Sequence, residues 1–317
     1  LRMKFDVANI ADIFADLVIT GPEKPAFGQV ETLADTYEVE LGGSGPIFAS
    51  QFAKLGGSIA VITVVGEDRM GDFVLERMKE VGIDTTFVRR SHRNKTPLGL
   101  NISVKGDRSM LTVLGTLREI EGGLVPESLL DRVRHWHMAG YFLLPALFGF
   151  WPGFLKTARK KGVTISLDTN WSPEGNWDRV LEILPLVDLF FPNEEEAMAI
   201  TGTRDPSQAG RQLSEKVPAV VMKRGAMGAS VFRGKEELHI PNETVVEGPV
   251  KVVDTTGAGD SFDAGFIFEW LNGGSSEACL KTAIRCGTSN VQGLGGLRSQ
   301  YTPDEKNSSP TNTRSNG

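Results

Sequence analysis

One stretch of this sequence, residues 251–262, constrains the fold more than any other. The run that leads into it, 250–253, is rich in β-branched valine and favours a strand. After it, Phe262, Phe266 and Trp270 recur every four residues, which places them on one apolar face of a helix. The turn between them consists of small residues. A strand, a tight turn and a helix in this order form the repeating unit of mostly parallel α/β sheets.

The turn between the predicted strand and helix is suited to an anion. The first amides of a helix have no partner within the helix and lie at the positive end of its dipole. Gly257 and Gly259 allow a phosphate to approach the backbone closely. Asp260 would repel a bound phosphate, so it is more useful there as a base or a metal partner. The alternative is an ordinary carboxylate in a first helical turn, which the helix dipole favours.

The eight residues 254–261, Asp-Thr-Thr-Gly-Ala-Gly-Asp-Ser, closely resemble the second signature of the ribokinase-type (PfkB) carbohydrate kinases. The resemblance implies transfer of the γ-phosphoryl group of ATP to a hydroxyl of a small sugar or sugar derivative, with Mg²⁺. It implies an anion hole and a catalytic base formed by Gly257, Ala258, Gly259 and Asp260. Asp254 and Thr256 match positions that hold a monovalent cation, K⁺, in some family members.

Strand-like and helix-like runs alternate along most of the 317 residues, which predicts an α/β fold with a mostly parallel, doubly wound sheet flanked by helices. The resemblance implies a single ribokinase-like domain over 3–301 with a small β-sheet lid. Strand-like runs place the lid strands at about 20–41 and 96–115, and in the family such a lid often forms a homodimer contact. The tail 302–317 is rich in Ser, Asn, Thr and Pro, which predicts disorder.

The acceptor side of the site is predicted mainly from the resemblance. The apolar run 5–19 contains two acids, Asp12 and Asp16, and each is equally a site carboxylate or a turn residue by its pattern alone. The family pattern selects Asp16 as a ligand of sugar hydroxyls. The other predicted acceptor contacts are Gly42 and Gly43 at a helix start, Asn101 on a lid strand, and Asp168 after the buried run 163–167.

Two of these segments depart from the family pattern. Ile47 stands where many members carry an asparagine, which removes a polar sugar contact. The segment 168–173 resembles Asp-Pro-Asn-x-Arg-Pro imperfectly, because Thr169 and Ser172 replace Pro and Arg. Asp168 therefore keeps the alternative of a turn-capping residue.

The nucleotide side is predicted from two further turns. Asn193 and Glu196 have the Asn-x-x-Glu spacing of the family's magnesium and phosphate motif, and Glu196 is the predicted Mg²⁺ ligand. The alternative is that the three acids that follow Asn193, Glu194 to Glu196, only complement the dipole at a helix start. Lys223 is the best cationic candidate for the phosphates, with a solvated lysine as the alternative. Gly225 and Gly228 belong to the same predicted nucleotide turn.

Composition and charge argue against some classes of binding partner. The net charge of −6 and a pI near 5.4 argue against a nucleic-acid partner. The apolar run 136–154 contains too many Gly and Pro residues for a membrane helix, so no membrane partner is expected. Cys279 and Cys286 lie two helical turns apart, about 10 Å, which is too far for a disulfide and favours a reducing cytoplasm.

Rival functions have weaker support. A nicotinamide dehydrogenase would need Gly-x-Gly-x-x-Gly after the first strand, and the glycines near 257–265 are wrongly spaced. A nucleoside kinase of the same family and a sugar sensor without turnover remain alternatives. His135 and His137 alternate on a predicted strand, but no third metal ligand stands at a recognisable spacing.

Overall fold

The computed structural model describes residues 5–21, 23–104 and 107–303. Residues 105–106 of the predicted lid segment 96–115 and residues 304–317 of the predicted disordered tail 302–317 lie outside the described residues. The helices are α1 Ser44–Lys54, α2 Arg69–Glu80, α3 Trp151–Lys160, α4 Asp178–Ile183, α5 Glu194–Thr201, α6 Pro206–Leu213, α7 Ala258–Leu271 and α8 Ser276–Asn290. The strands are β1 Phe5–Ile10, β2 Phe14–Gly21, β3 Thr36–Gly42, β4 Ile59–Gly66, β5 Val88–Ser91, β6 Leu98–Val104, β7 Asp107–Val113, β8 Val133–Met138, β9 Thr164–Leu167, β10 Leu189–Phe190, β11 Ala219–Lys223, β12 Ala229–Arg233 and β13 Glu236–Ile240.

The larger sheet has nine strands in the order β13-β12-β11-β10-β9-β8-β1-β4-β5. Strands β1, β4, β5 and β8 to β11 pair in parallel, and β12 and β13 add an antiparallel edge. Parallel strands are covered on both faces, so they consist of nearly continuous apolar runs. All eight residues of β4 are buried, as this rule requires.

Two apolar cores lie on opposite faces of this sheet. In β4, Ile59 and Val61 belong to one core, while Ala60 and Ile62 belong to the other. This alternation follows from the two-residue period of a strand. The core that includes Ile59 also contains most of the buried apolar side chains of α1, α7 and α8, so the signature helix packs directly on the sheet.

The smaller sheet has four strands in the order β3-β2-β6-β7. Its centre is β2, which pairs antiparallel with β3 and parallel with β6. The apolar run 5–19 is therefore two strands: β1 in the large sheet and β2 in the small one, with Asp12 in the connection. The β-formers in 28–35 lie outside any strand, because β3 begins only at Thr36.

Two local predictions around the signature are wrong. Residues 250–253 form no strand, and Val252 and Val253 are largely exposed. The amide of Val253 bonds the carbonyl of Val291 at the end of α8, so this segment runs along the helices and not beside a strand. Helix α7 also has more than one apolar stripe, because all seven residues 261–267 are buried.

The apolar run 136–154 crosses three kinds of structure. It contains the end of β8, two short 3₁₀ helices and the start of α3 at Trp151. Gly140 has a φ of +61°, which breaks regular structure after the strand. Among the described residues, no helix combines the length and apolarity needed to cross a bilayer.

Candidate active site

The candidate site lies at the carboxyl ends of the parallel strands of the large sheet, where ligands bind in open α/β sheets. The residues that end or follow these strands, and that enter the site, are Asp12, Asp168, Asn193 and Lys223. Asp16 lies on β2 of the small sheet. The strand ends of the large sheet therefore bring these four residues to one edge, and Asp16 comes from a different element.

The first turn of α7 forms the floor of the site. Gly257 precedes the helix with a φ of +73°, a backbone conformation that favours glycine. A Cβ atom at Gly257 would come within 2.7 Å of Ile47 and 3.1 Å of Gly296. Ile47, where the family often has asparagine, is thus a buried packing residue beneath the turn. Ala258, Gly259 and Asp260, which follow Gly257, all line the cavity beside this turn, and the Ala258 amide also makes a long hydrogen bond of 3.3 Å to the carbonyl of Thr255.

Asp260 is partly buried on this first turn and is surrounded by other acids. Burial raises the pKa of Asp260 well above its ordinary value, and the negative charges of Asp168 and Asp12 raise it further. The Lys223 ammonium and a hydrogen bond from the Ser44 hydroxyl act in the opposite direction. A carboxylate with a raised pKa can accept a proton near neutral pH.

Asp12 joins the large sheet to the start of α1. Its two carboxylate oxygens accept hydrogen bonds from the amides of Ser44 at 3.1 Å and Gly45 at 3.0 Å. Burial raises the pKa of Asp12 to about 6, although these amide bonds oppose the shift. The sequence pattern alone left Asp12 equally a site carboxylate or a turn residue, and in the structure Asp12 binds the amides that open α1.

Asp16 lies between two glycines of the small sheet. A Cβ atom at Gly42 or at Gly99 would overlap the Asp16 carboxyl group, so the two glycines leave room for it. Asn101 is two residues beyond Gly99 on the same face of β6. Burial, followed by the charge of Asp12, raises the pKa of Asp16 to about 6. Gly43 has a φ of +100° and directs the chain from β3 into α1.

Lys223 and Asp168, both predicted site residues, bind each other. The Lys223 ammonium donates to Asp168 Oδ2 at 2.7 Å and lies 3.6 Å from Asp263 Oδ1. Sequence reasoning missed Asp263, which lies one turn after Asp260 and is fully buried. A charged residue among the apolar residues of α7 was the signal that could have revealed it. Lys223 also holds the pKa of buried Asp168 below its ordinary value.

Asn193 and Glu196 form a capping box at the start of α5. The amide of Glu196 donates to Asn193 Oδ1 at 2.8 Å, and the amide of Asn193 donates to Glu196 Oε2 at 2.9 Å. The alternative role at a helix start is thus present in the structure. Glu196 nevertheless also lines the cavity, and burial followed by the charge of Asp168 raises its pKa.

A cavity of about 990 Å³ opens beside the first turn of α7. Its polar wall includes Asp168, Asn193, Glu196 and Lys223, and the turn residues Gly225 and Gly228 also line it. Its apolar wall is formed by Val246, Val250, Val252, Phe262, Ile284 and Val291. Gly287 and Thr288 of α8 line the cavity next to this wall. Because Val250 and Val252 belong to this apolar wall, Val252 is exposed to the cavity and is not buried in a strand.

Asp254 and Thr256 lie at the far side of the signature turn. Asp254 Oδ1 accepts from the amide of Thr256 at 3.0 Å and from its hydroxyl at 2.8 Å, and Asp254 Oδ2 accepts from the amide of Gly295 at 3.0 Å. Protein donors therefore already bind both carboxylate oxygens. The two residues are brought together with the loop after α8, away from the cavity lining.

His135 and His137 are fully buried within the large sheet. His135 Nδ1 is 2.8 Å from the Thr164 hydroxyl, and the Ser166 hydroxyl lies 2.7 Å from both His135 Nε2 and His137 Nδ1. His137 stacks on Phe48 with ring centroids 4.0 Å apart. Burial lowers the pKa of both rings, that of His137 to about 3. Both histidines are hydrogen-bonded core residues.

The donor set suits magnesium held mainly by phosphates. In the described parts of the chain, no three His, Cys, Asp or Glu side chains are grouped as a metal cage. Mg²⁺ is usually bound through one or two carboxylates, water and substrate phosphates. The buried Glu196 carboxyl at the cavity wall fits this pattern.

The doubly wound sheet with a separate small sheet is a ribokinase-like fold, and the amide turn lies at its large cavity. The chain belongs to the pfkB family of carbohydrate kinases, whose family model matches residues 4–302.

Named relatives support the same class. The chain is 29% identical over 284 residues to 2-dehydro-3-deoxygluconokinase of Bacillus subtilis, covering 83% of this chain and 84% of that protein. It is 28% identical over 312 residues to ribokinase of Arabidopsis thaliana, covering 92% of this chain and 77% of that protein. The chain is therefore a carbohydrate kinase by family.

Solved structures show the same fold. Arabidopsis thaliana ribokinase complexed with ribose and ATP superimposes with a TM-score of 0.79 at 24% identity, covering 94% of this chain and 96% of that chain. A candidate ribokinase II from E. coli in complex with ATP and Mg²⁺ has a TM-score of 0.81 at 24% identity, with the same coverage.

Proposed function

We propose that this protein transfers the γ-phosphoryl group of ATP to a hydroxyl of a small sugar or sugar derivative. The observation that carries the proposal is the position of Asp260. It lies on the amide turn at the wall of the 990 Å³ cavity, and its acidic neighbours include Asp12 beneath the small sheet. A base placed between a nucleotide-sized cavity and a set of hydroxyl-binding carboxylates is what phosphoryl transfer to an alcohol requires.

In this proposal Asp260 accepts the proton of the acceptor hydroxyl. The hydroxyl oxygen forms a bond to the γ-phosphorus, the bond from that phosphorus to the bridging oxygen breaks, and ADP leaves. The amides of Ala258, Gly259 and Asp260 stabilise the charge on the transferred group at the positive end of α7. The raised pKa of Asp260 supports the role of base, because a catalytic base works best with a pKa near the working pH.

ATP would occupy the cavity, with its base in the apolar slot between Val246, Ile284 and Val291 and its phosphates near the turn of α7. Gly225 and Gly228 would lie beside it on the turn after β11. Mg²⁺, held from the side of Glu196, would neutralise the phosphate charge. The E. coli and Arabidopsis relatives complexed with ATP support this choice of co-substrate. Lys223 would act from behind the turn, because Asp168 already binds its ammonium.

The acceptor would bind between Asp16 and Asp260. Carboxylates such as Asp16 accept hydrogen bonds from hydroxyls, and Asn101 on the same face could add an amide contact. Gly42 and Gly43 would belong to the same acceptor pocket, because Gly42 leaves room for the Asp16 carboxyl group and Gly43 for the backbone carbonyl of Asp12. Relatives are named for ribose, deoxyribose and 2-dehydro-3-deoxygluconate. A nucleoside acceptor is the second candidate, since adenosine kinase of Sinorhizobium meliloti shares the fold at a TM-score of 0.78.

The experiment measures ATP consumption with and without Mg²⁺ over a panel of sugars, sugar acids and nucleosides. We expect Mg²⁺-dependent turnover with one hydroxylated acceptor. Binding of a sugar without turnover of any acceptor would instead support a sensor. The same assay with and without K⁺ tests a monovalent cation near Asp254 and Thr256, where the family pattern suggests one.

A further inference from the structure

A buried ionic cluster of Asp168, Lys223 and Asp263, the acid–lysine cluster, lies behind the first turn of α7. The Lys223 ammonium is 2.7 Å from Asp168 Oδ2 and 3.6 Å from Asp263 Oδ1. Asp263 and Asp168 are buried, with 0% and 5% of their surface exposed. The proposed transfer reaction gives Asp263 no role, although a buried carboxyl group is costly unless something compensates it.

The cluster contains one cation and two carboxyl groups. Neither oxygen of Asp263 receives a hydrogen bond from the residues that the structure describes. The Asp168 and Asp263 carboxyl groups nevertheless lie beside the same Lys223 ammonium, at 2.7 Å and 3.6 Å, and each affects the pKa of the other. Two ionised carboxylates at such a distance repel each other, and one proton between them removes the repulsion. Asp168 has the closer ammonium and an amide from Asn170 at 3.3 Å, so the proton belongs on Asp263.

The cluster also fixes where the positive charge lies. A Cβ atom at Gly259 would be only 3.3 Å from the Lys223 ammonium, so this charge touches the backbone of the anion turn from behind. A cation at this point strengthens the positive potential at the end of α7 where phosphate would bind. It also favours the ionised form of Asp260.

We propose that Asp263 is a positioning residue: its protonated carboxyl donates to Asp168, and the two together hold the Lys223 ammonium behind the anion turn. This inference rests on the proposed phosphoryl transfer. Asp263 touches no reacting atom and acts through Lys223 alone.

The arrangement makes activity sensitive to the ionisation of Asp263. The groups that face it are Lys223 on β11, Asp168 after β9 and Asp260 on its own helix, with Glu196 of α5 and His137 of β8 next to the cluster. Burial raises the pKa of Asp263 well above its ordinary value, and Lys223 opposes the shift. Above that pKa a second negative charge appears behind the phosphate site, so ATP binding and turnover should weaken as the pH rises.

The test compares Asp263→Asn, Asp263→Ala and, as a matched control on the same helix, Glu269→Gln. Asparagine can still donate to Asp168 but cannot ionise, so Asp263→Asn should keep most of kcat at neutral pH and lose the alkaline decline in kcat/KM for ATP. Asp263→Ala removes one of the two carboxyl groups that hold Lys223 and should lower kcat on the order of 10²-fold, as small misplacements of catalytic groups do. Glu269→Gln should keep both the rate and the pH profile.

An alkaline decline in Asp263→Asn equal to that of the wild type would overturn the inference, as would wild-type kcat in Asp263→Ala. Melting temperatures of all variants show whether loss of folding explains a lost rate; if Asp263→Ala does not fold, Asp263→Asn decides. Infrared spectra of the free protein provide a readout that needs no acceptor. The difference spectrum between the wild type and Asp263→Asn isolates the Asp263 band from those of other buried acids such as Asp260. Loss of a protonated carboxyl band in this difference supports the inference even without turnover, and a difference spectrum without such a band contradicts it.

Discussion

At the scale of single residues, the proposed phosphoryl transfer depends on how the surroundings of Asp260 set its protonation. Burial and the charges of Asp168 and Asp12 favour the protonated form, whereas Lys223 favours the ionised form. In the proposed mechanism, the Lys223 charge offsets part of the raised pKa, which helps Asp260 to act as the base within a strongly acidic site. Ser44 adds a hydrogen bond from the start of α1, so two helix starts meet at this carboxyl group.

The first prediction concerns Asp260→Asn, which keeps the size of the side chain and removes the proton acceptor. We expect kcat to fall by ~10²–10⁴-fold, the usual contribution of a general base, while nucleotide affinity stays equal or increases. In the wild type, kcat/KM should fall as the pH drops through the raised pKa of Asp260, because the base becomes protonated. Rates and melting temperatures are measured on the same preparations, and a near-normal kcat in the folded variant would rule out this base.

The second prediction separates the two roles of Glu196. Glu196→Gln keeps an oxygen that can accept from the Asn193 amide, so the capping box and the start of α5 should persist. The charge that would hold Mg²⁺ is lost, so the Mg²⁺ concentration needed for half-maximal rate should increase, with acceptor binding unchanged without nucleotide. The matched control is Glu195→Gln, one residue earlier and exposed. Equal Mg²⁺ requirements in both variants would leave Glu196 with only the capping role.

At the scale of elements, α7 and α8 form the closest helix pair, and their contact places the anion turn against the cavity. Gly265 permits this approach, because a Cβ atom there would lie 2.9 Å from both Cys286 Sγ and the carbonyl oxygen of Thr282. The cysteines of α8 are free and buried, as their spacing predicted. They serve as small packing residues at this contact.

The third prediction tests this contact with Gly265→Ala. The added methyl group should force α7 and α8 apart at a cost of ~1–3 kcal/mol, more than the ~1 kcal/mol that alanine gains in helix propensity. The control is Gly153→Ala on α3, where a Cβ atom would have no neighbour within 4 Å. Thermal unfolding should show a lower Tm for Gly265→Ala and an equal or higher Tm for Gly153→Ala. A higher Tm for Gly265→Ala would contradict the prediction, because it would mean that the contact between α7 and α8 can accommodate a methyl group.

The elements near the signature show what the sequence could and could not predict. The turn and start of α7 were predictable because glycine spacing, small residues and a following apolar period all indicate the same local structure. The segment 250–253 was not, because valine favours a strand locally, whereas its backbone bonds go to the end of α8. Asp263 was missed since its partners, Asp168 and Lys223, are distant in sequence.

At the scale of the whole molecule, the two faces of the small sheet differ in chemistry. Residues aligned with Asp16, such as Gly99 and Glu40, are polar or small and face the site. The opposite face carries Leu17, Val39, Leu100 and Leu111, which are aligned across all four strands. Leu111 is 61% exposed, and Tyr37 on the same face is 68% exposed. An exposed apolar face of this kind favours association.

The fourth prediction is that this apolar face binds a second copy of the chain, as the resemblance to lid-containing kinases suggested. Leu111→Glu places a charge on the face and should convert a dimer into a monomer in sedimentation velocity experiments. Leu238→Glu, on the edge strand β13 of the large sheet, is the control and should leave the mass unchanged. A monomeric wild type at all concentrations tested would contradict the proposal.

The overall architecture was largely predictable from the sequence, since alternating strand and helix patterns together with the family signature indicate a doubly wound sheet. The position of β2 in the small sheet was harder to predict from the sequence. An apolar run that continues from β1 through Ile19 gives no local sign that the chain changes sheets at Asp12. That change depends on amides of α1, which are more than thirty residues away.

The two buried histidines of β8 belong to a chain of hydrogen bonds in which every donor points the same way through the interior of the large sheet. The Thr164 hydroxyl donates its single hydrogen to the carbonyl of Arg134, so it must accept from His135 Nδ1–H. His135 Nε2 is then a bare acceptor, which takes the Ser166 hydrogen, and Ser166 in turn accepts from His137 Nδ1–H. One backbone carbonyl thereby orders four side chains head to tail, and it leaves the unprotonated Nε2 of His137 at the open end.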